Sequence, residues 1–155
     1  MRSRTSRVVS GLISAVACLA LLGIASCGDD DDNNNGTVVD VSLQEFTVTA
    51  PASAAAGKVT FRVTNDGEDM HEFLVIKTNL PPAGLPTEPN GSYEEDGPGT
   101  ELLDEIELIN PGETKSLTLT LDSAKYVLIC NMVMIEDGEE EVHYALGMHT
   151  AFTAD

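Results

Sequence analysis

The sequence predicts an all-β sandwich, and three observations support that prediction. Apolar and polar residues alternate in several short runs, such as Val59, Phe61 and Val63 with Thr60 and Arg62 between them, as in strands with one buried face. Turn-forming residues separate these runs about every eight to twelve residues. After residue 27, no apolar pattern follows the helical period.

The first 27 residues are predicted to be a lipoprotein signal peptide. A start rich in arginine leads into an uncharged run, Val8–Ser26, and a basic segment followed by an apolar one is typical of secretory signals. The run ends in Ile24-Ala25-Ser26-Cys27, which resembles a bacterial lipobox and implies that Cys27 is lipidated. An uncleaved membrane anchor is the alternative, because an apolar run of this length can just span a bilayer.

Residues 28–36 are predicted to be a flexible tether, because GDDDDNNNG contains no apolar residue. One domain is expected from 37 to 155. After Cys27 the chain has five basic and 26 acidic residues, a formal charge of −21. This charge argues against nucleic acid as a partner, because phosphate binding needs clustered Lys and Arg. It favours a protein with a basic patch.

The predicted strands of the first half begin at Thr37. Alternation there ends in a phase slip at Gln44–Glu45, which predicts a β-bulge or a strand that changes sheets. The next strand, residues 59–64, ends at the turn signal Asn65-Asp66-Gly67. Phe73–Ile76 is apolar on both faces, which indicates an inner strand.

A proline-rich segment, Thr78–Glu101, separates the two halves. It holds five prolines and four glycines and is predicted to be a surface excursion with at most one helical turn. Strands are then expected around residues 106–108, 117–121 and 126–130, and a short last strand around His149–Thr153. The total is about seven or eight strands, as in an all-β sandwich.

Cys130 is the one thiol expected in the mature protein. Cys18 lies within the apolar run of the signal and Cys27 would carry lipid, so no disulfide partner remains. Metal ligation is one explanation for such a cysteine, and an inert buried thiol is the other.

Four residues at predicted strand ends form a candidate metal site. His71 opens a strand and Cys130 closes another, while His143 and Met148 lie in the string HYALGM. A thiolate, two imidazoles and a thioether are the ligands of a blue-copper centre. The remaining histidine, His149, is expected at the surface because it follows Met148 directly in an extended segment.

These segments resemble the cupredoxins, the relatives of plastocyanin and sulfocyanin. Tyr126–Phe152 looks like their C-terminal copper loop, and NDGEDMHEF looks like the motif before their first histidine ligand. The resemblance implies a Greek-key sandwich that binds one copper ion, cycling between copper(I) and copper(II), through His71, Cys130, His143 and Met148. It further implies that Asn131 tunes the site through a hydrogen bond near the sulfur, and that the edge of His143 is the port for electrons.

One feature departs from the family pattern. Twelve residues, Asn131–Val142, separate the cysteine from the second histidine, where the family has a few. They are predicted to loop out and return, because the cost of closing a loop grows slowly with its length. Met132 and Met134 in this insertion are alternative thioether ligands. The acidic run Glu136–Glu141 is expected to be a solvated loop that steers a basic partner.

The expected function is that of a single-electron carrier outside the cytoplasmic membrane, monomeric and anchored by lipid. The sequence contains no nucleophile elbow, phosphate-binding glycine loop or Cys-x-x-Cys motif, so a carrier is expected rather than an enzyme. Two alternatives remain open. One is a copper chaperone or storage protein without electron transfer, and the other is a metal-free interaction module on the same scaffold.

Overall fold

A computed structural model describes residues 36–95 and 97–155. The predicted signal peptide with Cys27, and all of the predicted tether except Gly36, lie outside the described residues. Within the described ranges, no helix is long and apolar enough to cross a membrane.

The described residues form eleven strands and one short 3₁₀ helix. The strands are β1 (Thr37–Gln44), β2 (Thr47–Thr49), β3 (Ser53–Ala54), β4 (Gly57–Asn65), β5 (His71–Thr78), β6 (Thr100–Ile109), β7 (Thr114–Leu121), β8 (Ala124–Ile129), β9 (Val133–Glu136), β10 (Glu139–Val142) and β11 (His149–Ala154). The 3₁₀ helix, Pro82–Gly84, is the single helical turn expected in the proline-rich segment.

The strands form two main sheets, which confirms the predicted β-sandwich. One sheet has the order β2-β1-β4-β7 and the other the order β3-β11-β8-β5-β6. Both sheets are mixed, because β1 pairs with β4 and β3 pairs with β11 in parallel. The strand count exceeds the prediction because of the very short β2 and β3 and a separate hairpin of β9 and β10.

The main core lies between the inner faces of the two sheets. Every second residue of a strand points into this core, as in β4, where Val59, Phe61 and Val63 are all fully buried. The ring centroid of Phe61 lies 5.4 Å from those of both Phe73 and Phe152. These contacts connect the two sheets. Aromatic pairs at this distance add to the stabilisation from buried area.

The proline-rich segment covers the outer face of the five-stranded sheet. Leu85 and Tyr93 of this segment pack with Tyr144 in a second apolar cluster, together with residues of β5 and β8. The Tyr144 hydroxyl donates to the Pro82 carbonyl at 2.8 Å and accepts from the Leu85 amide at 3.1 Å. This second cluster explains why β5 is apolar on both faces.

Candidate metal centre

Three candidate ligands meet at one end of the five-stranded sheet because of strand direction. The neighbours β5 and β8 are antiparallel, with Leu74 opposite Ile129, so the start of β5 lies beside the end of β8. His71 opens β5 and Cys130 follows β8. Strand β11 also runs antiparallel to β8, which places its start at the same end, just after Met148.

The imidazoles and the thiol present three donor atoms to one another. His71 Nδ1 lies 3.1 Å from His143 Nδ1, and the sulfur of Cys130 lies 3.7 Å and 3.4 Å from these two nitrogens. All three residues are fully buried. Among the described residues, they are the one group of at least three His, Cys, Asp or Glu able to hold a metal ion.

The size of this triangle fits a metal ion. A point equidistant from the three atoms lies about 2.0 Å from each, which is within the bond lengths of about 2.0 to 2.3 Å found for nitrogen and sulfur ligands. Two imidazoles and one thiolate in a trigonal arrangement, with methionine nearby, are the donors of a blue-copper site. The donor set therefore fits one copper ion.

Met148 is held beside the other candidates through its backbone. Its amide donates to the His143 carbonyl and its carbonyl accepts from the Cys130 amide, each at 3.0 Å. The side chain is fully buried in the main core. The backbone therefore places Met148 next to His143 and Cys130, and its role as the fourth ligand remains a prediction.

The twelve-residue insertion is a β-hairpin rather than an irregular loop. Strands β9 and β10 pair from Val133–Val142 at the base to Glu136–Glu139 at the tip. Asp137 and Gly138 form the turn with φ values of 52° and 88°, as a two-residue hairpin turn requires. The hairpin brings its ends together, so the His143 amide reaches the Met132 carbonyl at 3.0 Å. His143 thus lies close to Cys130 despite the insertion.

The edge of His143 is not at the surface, in contrast to the expected electron port. The ring is fully buried. Phe46, in the turn between β1 and β2, meets it edge-on with 5.3 Å between ring centroids. Among the described residues its Nε2 atom has no hydrogen-bond partner, and the carboxylate oxygen Oε1 of Glu141 lies 3.6 Å from it.

Burial sets the protonation of the three groups. It raises the pKa of the Cys130 thiol to about 12, although the amides of Glu72 and Met132 oppose this shift. Burial lowers the pKa of His71, although the carboxylate of Glu45 opposes this shift. Burial also lowers the pKa of His143, and its interaction with His71 lowers it further. Near neutral pH, the metal-free site therefore holds neutral imidazoles and a protonated thiol.

The side chain of Asn131, which is next to Cys130 in sequence, is bonded to the proline-rich segment. Its side chain pairs with the backbone of Tyr93, accepting from the amide at 2.6 Å and donating to the carbonyl at 3.1 Å. The sulfur of Cys130 instead accepts from the Glu72 amide at 3.4 Å. The amide side chain satisfies the backbone of the proline-rich segment, which lies over this part of the sheet. The predicted influence of Asn131 on the site remains a prediction.

The other predicted residues occupy peripheral positions. Met132 is partly buried against the main core, and Met134 lies within β9. His149 is partly exposed, and its ring lies 5.4 Å from that of Tyr144, outside the metal-binding group.

Sequence reasoning missed Glu45, whose carboxylate lies 3.1 Å from His71 Nε2. The signal was the phase slip at Gln44–Glu45. It marks neither a bulge nor a change of sheet but a tight turn, since Gln44 pairs with Thr47 across β1 and β2 of one sheet. Because Glu45 lies in a turn, its side chain does not follow the alternating inward and outward directions of a strand. It can therefore reach His71 of the candidate metal centre.

The solved structures that match this fold include two auracyanins. No protein-family profile and no curated protein sequence matches the chain. Reduced auracyanin from the photosynthetic bacterium Roseiflexus castenholzii matches with a TM-score of 0.54 and 16% identity, over 77% of this chain and 98% of that chain. Auracyanin A, a "blue" copper protein from the green thermophilic photosynthetic bacterium Chloroflexus aurantiacus, matches with a TM-score of 0.52 and 22% identity, over 78% and 100%. The described chain therefore has the cupredoxin fold.

Proposed function

We propose that this protein is a mononuclear type 1 copper protein that carries single electrons. The observation that carries the proposal is the buried triangle of His71 Nδ1, His143 Nδ1 and Cys130 Sγ, with separations of 3.1 to 3.7 Å. The described domain also shares its fold with auracyanin A, which is a "blue" copper protein. Copper bound there would supply a one-electron couple between copper(I) and copper(II).

The protein's own contribution is to hold the donors still. His71 and Cys130 are fixed by paired strands of the five-stranded sheet, and His143 is fixed by the base of the β9–β10 hairpin. Donors that keep their positions in both oxidation states minimise the rearrangement that accompanies electron transfer. This favours an electron carrier over a chaperone, which must release its metal.

Burial also favours a carrier over an enzyme. His71, Cys130, His143 and Met148 are each 0% exposed, so protein atoms separate the proposed copper position from solvent. An electron can cross such a layer, whereas a substrate would need direct access to the metal. We therefore assign the protein a transfer role without a chemical substrate.

A visible spectrum of the domain loaded with copper(II) tests the proposal. We expect an intense thiolate-to-copper band and a narrow copper hyperfine splitting in the spin-resonance spectrum, because a short copper–thiolate bond delocalises the unpaired electron. A Met148→Leu variant should keep the band and show a higher reduction potential, since loss of a weak axial thioether disfavours copper(II). A colourless wild-type product would contradict the proposal.

We also propose that the electron partner carries a basic docking patch. The β9–β10 hairpin is attached directly to the metal site and exposes Glu139 and Glu140 near its tip. Acidic groups at that position attract cationic partners and repel anionic ones over a screening length of about 10 Å at 0.1 M salt. The hairpin would therefore select the partner by charge.

Two small redox probes measure this selection. At low salt, reduced protein should react faster with cationic hexaammineruthenium(III) than its thermodynamic driving force alone predicts, and slower with anionic ferricyanide. Glu139→Gln with Glu140→Gln should weaken this preference, whereas the matched pair Glu101→Gln with Asp155→Asn, at the opposite end of the sheet, should preserve it. Equal effects of the two pairs would mean that the net charge, not the hairpin, determines the preference.

Export and lipid anchoring form the third part of the proposal. They are supported by the arginine-rich start, the uncharged run and the Ile24–Cys27 lipobox-like sequence. Mass spectrometry of the mature protein from bacterial membranes should show an N-terminus at Cys27 carrying a diacylglyceryl group. A mature chain that retains Met1 would disprove it.

A further inference from the structure

Glu45 contacts the candidate site from outside the group of donor atoms. It lies in the turn between β1 and β2, in the four-stranded sheet, whereas His71 belongs to the five-stranded one. Its Oε1 atom lies 3.1 Å from His71 Nε2. The imidazole is fully buried, while the carboxylate side chain is 23% exposed.

The backbone holds this carboxylate in place. The amides of Glu68 and Asp69 donate to the same Oε1 atom at 3.0 and 2.9 Å. A Cβ atom added to Gly67 would lie 2.1 Å from Oε1, so the loop approaches this closely because a glycine stands there. Although burial alone would raise the pKa of Glu45, the amides of Asp69 and Glu68 lower it. The group is therefore a fixed anion at neutral pH.

A fixed anion at Nε2 determines where the proton of His71 lies. A carboxylate can accept and cannot donate, so neutral His71 places its hydrogen on Nε2. The lone pair of Nδ1 then points at the Cys130 sulfur and His143. His143 differs, because its Nε2 has no hydrogen-bond partner in the described structure and the Glu141 carboxylate lies farther away, at 3.6 Å. The two imidazoles therefore have different supports. His71 is hydrogen-bonded to Glu45 through Nε2, whereas His143 packs against Phe46.

We propose that Glu45 is a positioning residue that fixes the tautomer and ring orientation of His71 before metal binds, and that its charge stabilises copper(II) relative to copper(I). The second half of this inference rests on the proposed function, and the first does not. Carboxylates behind metal-binding histidines act in this way generally, and their loss typically costs about 10- to 100-fold in metal affinity.

Glu45→Gln and Glu45→Ala separate charge from hydrogen bonding. A glutamine oxygen still accepts the three N–H groups but carries no charge, whereas alanine removes both. The matched control is Glu68→Gln, which removes one exposed charge from the adjoining loop and leaves the backbone amide that donates to Glu45 intact. All variants are made in the chain without its predicted signal peptide, residues 28–155.

Nitrogen-15 NMR of the metal-free protein reads the tautomer directly. We expect His71 to carry its hydrogen on Nε2 in the wild type and in Glu45→Gln, and to show a mixture of tautomers in Glu45→Ala. An unchanged tautomer in a folded Glu45→Ala variant would overturn the positioning role. Should Glu45→Ala not fold, a wild-type His71 with its hydrogen on Nδ1 would overturn it equally.

Electrochemistry and chelator competition test the effect of the charge. Glu45→Gln should retain the visible band, bind copper(II) about 10-fold more weakly and have a higher reduction potential. Glu68→Gln should change both quantities much less. Equal changes in the two variants would overturn the specific role of the Glu45 charge. A wild-type protein without a blue site, but with a tautomer that depends on Glu45, would refute the proposed function and leave the positioning role intact.

Discussion

Replacing Cys130 with serine is expected to abolish the intense visible band of the copper(II)-loaded protein. The band arises from charge transfer out of a thiolate sulfur, and a serine hydroxyl has no orbital of comparable energy. The substitution changes one buried atom, whose contacts include His71, His143 and the Glu72 amide. The band is measured by absorbance after copper(II) titration. Thermal unfolding of the metal-free variant confirms that it is folded.

The third histidine provides the matched control for this experiment. His149 lies next to Met148 in sequence, yet it is partly exposed and lies outside the metal-binding group. His149→Ala should therefore keep the full band intensity. A band that survives in Cys130→Ser, or disappears in His149→Ala, would show that the ligand set is not the one assigned here.

Copper affinity is expected to rise about tenfold for each unit of pH from 7 to 10, because binding displaces one proton from the site. The displaced proton is that of Cys130, since burial raises the pKa of this thiol to about 12. Below that value the free site is a thiol and the bound site a thiolate, so raising the pH favours the bound form. The imidazoles add no proton in this range, because burial lowers the pKa of both His71 and His143.

Competition with a chelator of known protonation behaviour measures this dependence. Calorimetry at pH 7.5 in buffers of different ionisation enthalpy should independently give about one proton released per copper. A flat affinity profile would mean that Cys130 is not a ligand, or that it is already ionised in the free protein. The first outcome would contradict the proposed ligand set, and the second would contradict the raised pKa of the Cys130 thiol.

The sandwich and the three donors of the triangle could be predicted because they depend on short-range patterns. The alternation of Val59, Phe61 and Val63 indicates one buried face, and the apolar run at Phe73–Ile76 indicates two. Antiparallel pairing then brings strand starts and strand ends together. Residue types at those ends were sufficient to identify His71 and Cys130 as candidate ligands.

The surroundings of the site could not be predicted in the same way, because they depend on contacts between distant segments. The partner of Asn131 is the backbone of Tyr93, 38 residues away, and no local pattern encodes that pairing. The contact of Glu45 with His71 likewise joins two sheets. The hairpin is different: Asp137-Gly138 between two short runs is a strong hairpin signal, but the acidity of the segment favoured a loop in the prediction.

The burial of His143 was missed for a related reason. Its exposure in the prediction followed from the resemblance to cupredoxins with short copper loops. Here the β9–β10 hairpin and the turn with Phe46 both lie beside the ring. Covering of a ligand by an insertion depends on how the insertion folds, which composition alone does not specify.

The closed base of the β9–β10 hairpin has an evolutionary consequence. Because Val133 pairs with Val142 and the His143 amide bonds to the Met132 carbonyl, residues 135–140 toward the tip can change in number or charge without moving the donor atoms. If the proposed function holds, the metal chemistry and the choice of partner are separate modules of one chain. A lineage could retarget such a carrier by exchanging the tip of a single hairpin, while its redox properties were inherited intact.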